Sequence, residues 1–298
     1  MDLLDGTMQL NKEAAREAVK KIASAFNQTI EEAASAIIEV ANANMSDAVR
    51  LISVRRGYDP RDFALVAFGG AGPLHGAYLA KDLNIPKVII PTHPGVAAAM
   101  GCLLVDVRHD ISKTYVKKLE EVTAEELTKQ FGALRKEAAT LLEEEGIAES
   151  TSSLTNYIDL RYKGQWRSLA VLVADEITSL DVILEAFHQE HEREFAFSDK
   201  EQAVEIFGLR VTAIGTVPKP DFPQYVPEGS LEDAFKETRS VFFEGKYFET
   251  NVYYRDKIPV YTQFAGPAII DQLDTTTVIP PCFTAEVDAY RNIIITVN

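Results

Sequence analysis

The stretch Leu65–Pro91, LVAFGGAGPLHGAYLAKDLNIPKVIIP, holds two short apolar runs that are separated by a glycine-rich break and a segment of helical length. The first run has no apolar–polar alternation, which is typical of a strand covered on both faces in a parallel sheet. A strand, a helix and a strand within about 30 residues form a βαβ unit. We therefore predict an α/β fold, in which a ligand would bind where the chain leaves a strand and enters a helix.

Three glycines, Gly69, Gly70 and Gly72, lie at this predicted turn. Because glycine has no Cβ, it adopts positive φ without strain and lets backbone N–H groups approach a phosphate. The pattern lacks the Gly-Lys-Ser/Thr end of a Walker A loop and the spacing of a dinucleotide-binding fingerprint. Taken alone, it fits a tight strand-to-helix turn as well as a nucleotide-binding loop.

Four other side chains are candidates for chemistry. His75 lies in the first turn of the predicted helix, where it could face a phosphate, act as a general acid or be a surface or capping histidine. His188 and His191 have an i, i+3 spacing that can bind a metal, but we expect an ordinary solvated helix face and predict no metal ligands. Cys102 has apolar neighbours, so we expect it to be buried and unreactive.

Residues 11–56 have the pattern of two helices that end at Gly57. Asn11 is the predicted N-cap of the first helix, and Thr29-Ile30-Glu31-Glu32 fits the capping box of the second. Apolar residues recur at helical spacing along both, and such stripes usually face a core.

The sequence changes character after residue 110. We predict an amphipathic helix at 123–146, a hairpin at 156–173 that turns at Lys163-Gly164, a helix at 179–197, a strand at 204–217 and a series of short strands at 240–297. This change predicts two domains, residues 1–110 and residues 111–298.

The chain has 298 residues, a formal net charge of −15 and only two cysteines. The acidic balance argues against nucleic acid and against an anionic membrane surface, because both attract an excess of Lys and Arg. The spacing of Cys102 and Cys282 fits neither a metal pair nor a disulfide framework, which favours a reducing compartment. The N-terminus has no signal-peptide pattern and no segment approaches the ~20 apolar residues of a membrane span, so we predict a cytoplasmic protein.

Several segments together resemble the hydantoinase A / 5-oxoprolinase family, in particular the hydantoinase-A-like subunits of acetone and acetophenone carboxylases. They are the glycine-containing segment at 63–107, LRYKGQW at 160–166, FHQEHEREFAF at 187–197, VEIFGLRVTAIG at 204–215 and GPAIIDQLDTTTVIPP at 266–281. The resemblance covers nearly the whole chain in order. Cys282 departs from the pattern, in which a glycine commonly follows Pro-Pro, and we expect only the turn to change.

The resemblance implies an actin-like, ribonuclease H-like ATPase fold in two lobes. Residues 1–110 would be part of the second lobe, and the strand-rich α+β domain of residues 111–298 would follow it. The family's first lobe, with its phosphate loop and catalytic acidic residue, would precede Met1. We therefore expect either a fragment or an enzyme in which another chain supplies that lobe.

The resemblance also assigns the site. Gly69, Gly70, Ala71 and Gly72 would form the ATP-binding loop, and His75 would lie near the cleft as a catalytic candidate. ATP with Mg²⁺ or Mn²⁺ would be bound jointly with the partner chain. The apolar stripes of residues 11–56 could form the interface with it.

The function implied is that of a subunit of a heteromeric ATP-dependent carboxylase that acts on a ketone and phosphorylates the substrate enolate or bicarbonate. The alternative is a subunit or fragment of an ATP-dependent hydantoinase or 5-oxoprolinase that opens a cyclic amide. A third possibility is a non-catalytic structural subunit. The expected partners are the chain with the first lobe, a hydantoinase-B-like subunit and a small-molecule substrate, without nucleic acid or membrane.

Overall fold

The structure is a computed structural model that describes residues 2–3 and 7–297. Its α-helices are α1 (Lys12–Phe26), α2 (Ile30–Ile52), α3 (Gly72–Leu83), α4 (Ala97–Cys102), α5 (Ala124–Glu144) and α6 (Leu180–Phe195). Its strands are β1 (Asp2–Leu3), β2 (Met8–Gln9), β3 (Ala64–Val66), β4 (Lys87–Ile90), β5 (Val107–Lys118), β6 (Ser152–Tyr162), β7 (Leu169–Val173), β8 (Val204–Gly215), β9 (Phe235–Phe243), β10 (Lys246–Tyr254), β11 (Gln263–Ala265), β12 (Ala268–Asp271), β13 (Thr276–Ile279), β14 (Phe283–Val287) and β15 (Ile293–Val297).

The chain forms two compact units. Unit 1 comprises Met1–Leu103 and Asp221–Asn298, and unit 2 comprises Leu104–Pro220. The last part of the chain thus returns to the unit in which the chain begins. The predicted division into domains of residues 1–110 and 111–298 stays a prediction.

Unit 1 contains the predicted βαβ unit. β3 and β4 pair in parallel, and α3 connects them. Three buried residues of α3, Ala77, Ala80 and Leu83, belong to the same apolar core as Val88 and Ile90 of β4. The prediction of a mixed α/β fold is therefore confirmed.

The sheet around this βαβ unit has five strands in the order β11-β14-β15-β4-β3. β15 is antiparallel to β4. It lies at the centre of the sheet, with β4 and β3 from the early part of the chain on one side and β14 and β11 from the late part on the other. Within the described residues β3 has no partner on its outer side, and Val66 is 50% exposed. The predicted burial of the first apolar run on both faces is wrong, because Ala64 and Val66, which share one face of the strand, are exposed.

A second sheet of unit 1 has the order β13-β12-β10-β9. β12 and β13 are antiparallel, with Asp271 opposite Thr276. The four residues Gln272, Leu273, Asp274 and Thr275 form the connection, which we call the 272–275 turn. The N–H of Gln272 donates to the carbonyl oxygen of Thr275 at 3.1 Å, which closes this turn.

Unit 2 is a four-stranded antiparallel sheet in the order β5-β8-β6-β7, with helices α5 and α6 in the same unit. β6 and β7 form the hairpin predicted at residues 156–173, and α5 begins after the predicted N-cap Thr123. The apolar core of unit 2 includes Phe131 from α5, Phe187 from α6 and Tyr162 from β6.

The N-terminal helices have the predicted caps but only part of the predicted burial. The Asn11 side chain accepts from the N–H of Ala14, and Thr29 forms a complete capping box with Glu32. The large apolar residues of α1 and α2 that remain exposed are Ile22, Phe26, Ile37, Ile38, Val40, Leu51 and Ile52. The expectation that the stripes face a core is correct for the buried Ala33 and for Val49, which packs against the core of unit 1, but wrong for these exposed residues. The second helix ends at Ile52, and a short 3₁₀ turn precedes Gly57.

His188 and His191 are buried, so the expected solvated face is wrong. The Tyr162 hydroxyl accepts the N–H of Asp199 at 2.7 Å, and it lies 2.8 Å from His188 Nδ1. His191 Nδ1 lies 2.7 Å from the carbonyl oxygen of Phe197, and its Nε2 lies 3.0 Å from Gln165 Nε2, so both ring nitrogens of this buried histidine have polar partners.

Both cysteines are exposed, so the expected burial of Cys102 is wrong. Cys282 has φ +67°, in the left-handed region that favours glycine. The glycine that the family commonly has at this position would adopt the same turn without the steric cost of a Cβ.

We expect the buried His188 to make unit 2 sensitive to acid. Burial lowers the pKa of His188 below its ordinary value of 6.5. Below about pH 6.5 the unfolded chain takes up a proton that the folded chain resists, so the free energy of unfolding falls as pH decreases. Above that pH both states are neutral at this residue and its contribution is complete. The slope from one proton is at most about 1.4 kcal/mol per pH unit.

Urea unfolding from pH 7.5 to 5.5, followed by circular dichroism, tests this expectation. The variant His188→Gln removes the titrating group, so its unfolding free energy should fall less steeply below pH 6.5 than that of the wild type. Equal slopes for the two proteins would contradict the assignment, even if the variant is less stable at every pH.

Candidate functional site

The glycine loop, Gly69–Gly72, begins three residues after the end of β3 at Val66. Gly69 has φ +83°, which a residue with a side chain rarely adopts. Its N–H donates to the carbonyl oxygen of Pro94 at 2.7 Å, in the loop that follows β4. The loops after these two parallel strands are therefore joined at the carboxyl end of the sheet, where α/β folds bind ligands.

The glycine loop leads into the N-terminus of α3. Ala71 is the N-cap residue and makes no side-chain capping bond, and Pro73 occupies the first turn. Within the described residues, the N–H groups of Gly70 and Ala71 have no hydrogen-bond acceptor. Free N–H groups and the helix dipole together produce a local positive potential that favours an anion.

The 272–275 turn contacts both loops. The Thr275 hydroxyl donates to the carbonyl oxygen of Gly70 at 2.7 Å. The N–H of Gly95 donates to Asp274 Oδ2 at 2.7 Å, and Gln272 Nε2 donates to the carbonyl oxygen of Thr92 at 2.8 Å. These three side chains were not among the predicted site residues. Their segment contributed to the family resemblance, but nothing in it indicated contact with a loop some 200 residues earlier.

Arg255 lies at the carboxyl end of β4 and is 7% exposed. Its Nη2 donates to the carbonyl oxygens of Arg291 at 2.5 Å and Pro91 at 3.4 Å. Burial lowers the pKa of Arg255 to about 9, so the guanidinium keeps its charge at pH 7. Its Nη1 is buried without a partner among the described residues. Sequence patterns did not single out this buried cation.

His75 is half-buried in the first turn of α3. Its Nδ1 lies 2.7 Å from Asn42 Oδ1, so the Nδ1–H donates to this buried amide of α2. Burial lowers the pKa of His75, which favours the neutral ring at pH 7 with Nε2 as an acceptor. A neutral ring suits a general base better than a general acid. The catalytic role of His75 stays a prediction.

The described ranges, 2–3 and 7–297, hold neither a metal cluster nor a membrane span. No three His, Cys, Asp or Glu side chains converge there in a way that could hold a metal ion. No helix there has both the length and the apolar character needed to cross a bilayer.

The glycine loop belongs to a segment that known proteins share. The sequence matches the Hydantoinase/oxoprolinase family over residues 1–111 and the Hydantoinase/oxoprolinase C-terminal domain over residues 115–296. The chain belongs to the hydantoinase/oxoprolinase family. The resemblance to this family that was drawn from the sequence is confirmed.

Three curated relatives show how far the similarity extends. An uncharacterized protein of Methanocaldococcus jannaschii is 39% identical over 97% of this chain and 41% of its own length. The caprolactamase subunit alpha of Pseudomonas jessenii is 32% identical over 96% of this chain and 42% of its own length. The acetophenone carboxylase gamma subunit of Aromatoleum aromaticum is 31% identical over 96% of this chain and 41% of its own length. The chain therefore spans about two fifths of these relatives.

Two solved structures have the same fold. A nucleotide-free acetone carboxylase superposes with a TM-score of 0.83 at 24% identity, over 100% of this chain and 44% of that one. The ATP-dependent caprolactamase of Pseudomonas jessenii superposes with a TM-score of 0.80 at 30% identity, over 100% of this chain and 45% of that one.

Proposed function

We propose that this chain contributes the adenosine and phosphate-binding loop of an actin-like ATPase site in an ATP-dependent enzyme. The proposal rests on one observation, the glycine loop between the end of β3 and the uncapped start of α3, in which the N–H groups of Gly70 and Ala71 have no acceptor in the described part of the chain. Backbone N–H groups at a helix N-terminus neutralise phosphate oxygens without any side chain. The ATP-dependent caprolactamase with the same fold supports the choice of ligand.

The chemistry that we propose is activation of an oxygen atom by phosphorylation. Bound ATP with Mg²⁺ or Mn²⁺ would supply the phosphoryl group, and a phosphorylated oxygen is a good leaving group. The protein's part is to position the phosphates and to stabilise their charge with the N–H groups of Gly70 and Ala71. A partner chain or segment would provide the first lobe and its acidic residue.

The first candidate reaction is carboxylation of a ketone, with an enolate or bicarbonate as the phosphorylated group. The similarity to the acetophenone carboxylase gamma subunit supports it. The second candidate is opening of a cyclic amide, and the similarity to the caprolactamase subunit alpha supports it. The identities differ by one per cent and the shares covered are nearly equal, so neither measure favours one candidate.

An assay of the complex purified from its native source separates these candidates. Incorporation of labelled bicarbonate into a ketone, dependent on ATP, would establish the carboxylase. Opening of a lactam, hydantoin or 5-oxoproline ring without bicarbonate would establish the amidohydrolase. Activity in either assay without ATP would contradict the proposed nucleotide site.

We expect Gly70→Asp to abolish ATP-dependent activity in the assembled enzyme. Gly70 does not have positive φ, and an added Cβ would lie 3.5 Å from the nearest heavy atom, so the variant should fold. Its carboxylate would repel the phosphates, and we expect a loss of at least about 100-fold in kcat/KM, as when a key charge-stabilising group is lost.

Gly132→Asp is a matched control, because Gly132 on α5 is exposed and no heavy atom lies within 4 Å of the position that a Cβ would occupy. It should keep wild-type activity. Full activity in Gly70→Asp as well would favour the third possibility, a subunit without a working nucleotide site.

We also propose that the first lobe packs against the exposed apolar residues of α1 and α2. Val40 is 62% exposed and Phe26 is 73% exposed, and several large apolar side chains exposed on two neighbouring helices favour an interaction site there. The unpaired outer side of β3 offers backbone groups in the same unit.

Val40→Asp should weaken this association at least about tenfold, because an unpaired carboxylate would be buried in the interface. Native mass spectrometry of the purified complex, with peptide identification of each chain, measures the loss. Val182→Asp is the control, since Val182 on α6 is 67% exposed but belongs to unit 2. Equal retention of partners by both variants would exclude this surface.

A further inference from the structure

The 272–275 turn holds two peptide groups of the candidate site. A trans peptide is planar, so its C=O and N–H point in opposite directions. The Thr275 hydroxyl binds the C=O of the Gly70–Ala71 peptide at 2.7 Å. The N–H of Ala71 in the same peptide therefore points away from Thr275, and it has no acceptor among the described residues.

The second peptide joins Pro94 to Gly95. Asp274 Oδ2 accepts its N–H at 2.7 Å, and its C=O accepts the N–H of Gly69 at 2.7 Å on the opposite side. The peptide thus connects the carboxylate of Asp274 to the first residue of the glycine loop. A carboxylate acceptor polarises the peptide and strengthens the bond at its other end.

We propose that Asp274 and Thr275 are positioning residues that set the geometry of the nucleotide-binding loop. Asp274 fixes Gly69 through the Pro94–Gly95 peptide, and Thr275 turns the Ala71 N–H outward to meet the ligand. Both side chains act here through hydrogen bonds to the backbone of the two loops. This inference rests on the proposed function and adds to it the means by which a loop of glycines is kept in one conformation.

The local packing supports this role. Thr275 is 6% exposed, so solvent does not compete for its hydroxyl. A Cβ on Gly95 would lie 2.2 Å from Asp274 Oδ2, so the close contact between carboxylate and peptide requires a glycine there. Without such contacts, a loop with three glycines in four residues would be flexible, because glycine has more accessible backbone conformations than any other residue.

Hydrogen exchange of the full chain tests the positioning directly, without any ligand. Mass spectrometry would follow peptides that span residues 64–72 and 92–97. In Thr275→Val we expect amide exchange in the first peptide to accelerate about three- to tenfold, as for loss of one neutral hydrogen bond. In Asp274→Ala we expect more than about tenfold acceleration in both peptides, because a charge-assisted bond is lost.

Two conservative variants separate hydrogen bonding from charge and from misfolding. Thr275→Ser keeps the hydroxyl, and Asp274→Asn keeps an oxygen acceptor for the Gly95 N–H, so both should retain most of the protection. Thr250→Val is the control for a buried threonine of unit 1, since within residues 2–3 and 7–297 the Thr250 hydroxyl bonds only the nearby carbonyl of Phe248 at 3.1 Å. It should leave both peptides unchanged.

ATP titration of the assembled enzyme completes the test. The variants that lose most protection from exchange should also lose most affinity for ATP. Thr275→Val should therefore bind ATP more weakly than Thr275→Ser, and Asp274→Ala more weakly than Asp274→Asn. Unchanged exchange in those two variants overturns the inference, and so does accelerated exchange with undiminished ATP affinity. A loss of protection in Asp274→Asn equal to that in Asp274→Ala would overturn the inference for Asp274, because an oxygen acceptor for the Gly95 N–H would then not hold the loop. If the wild type binds no ATP, the proposed function is rejected, whether or not the exchange data show that the turn holds the loop.

Discussion

The antiparallel pairing of β15 with β4 is the interaction on which unit 1 depends. It places Ile293 opposite Ile90 and Ile295 opposite Val88, and all four side chains are buried in one apolar core. A two-stranded sheet is marginally stable at best in water unless further strands or a helix pack against it. The last strand of the chain thus supplies both the missing hydrogen bonds of β4 and much of the apolar surface that α3 needs.

The same pairing determines what lies beside the glycine loop. Once β15 is fixed against β4, the segments just before it are held in the same unit, and the 272–275 turn reaches the carboxyl ends of β3 and β4. Arg255 binds the carbonyl oxygens of Pro91 and Arg291, so it joins the end of β4 to the turn before β15. The site is therefore assembled from two segments that are far apart in sequence.

The sequence predicts the features that depend on neighbouring residues. The βαβ unit, the caps at Asn11 and Thr29 and the β6–β7 hairpin all have local causes, namely hydrophobic period, side-chain capping and turn residues. The pairing of β15 with β4 and the contacts of Asp274 have no local cause, so no spacing could indicate them. The predicted burial of the apolar stripes on α1 and α2 was wrong in part, and for another reason. Periodicity identifies an apolar face, but it does not say whether that face packs inside this chain or against another.

An acidic chain can still present a site for an anion, because the relevant charges are local. Salt at physiological strength screens exposed charges beyond about 8 Å, so most of the net charge of −15 contributes little at the glycine loop. The loop itself offers the N–H groups of Gly70 and Ala71, which have no acceptor among the described residues, and the positive end of α3. Asp274 brings a negative charge to the loop that follows β4, but its Oδ2 is directed to the N–H of Gly95. A carboxylate whose oxygen is already engaged by the backbone stabilises the loop while projecting less negative potential towards a phosphate than a free one would.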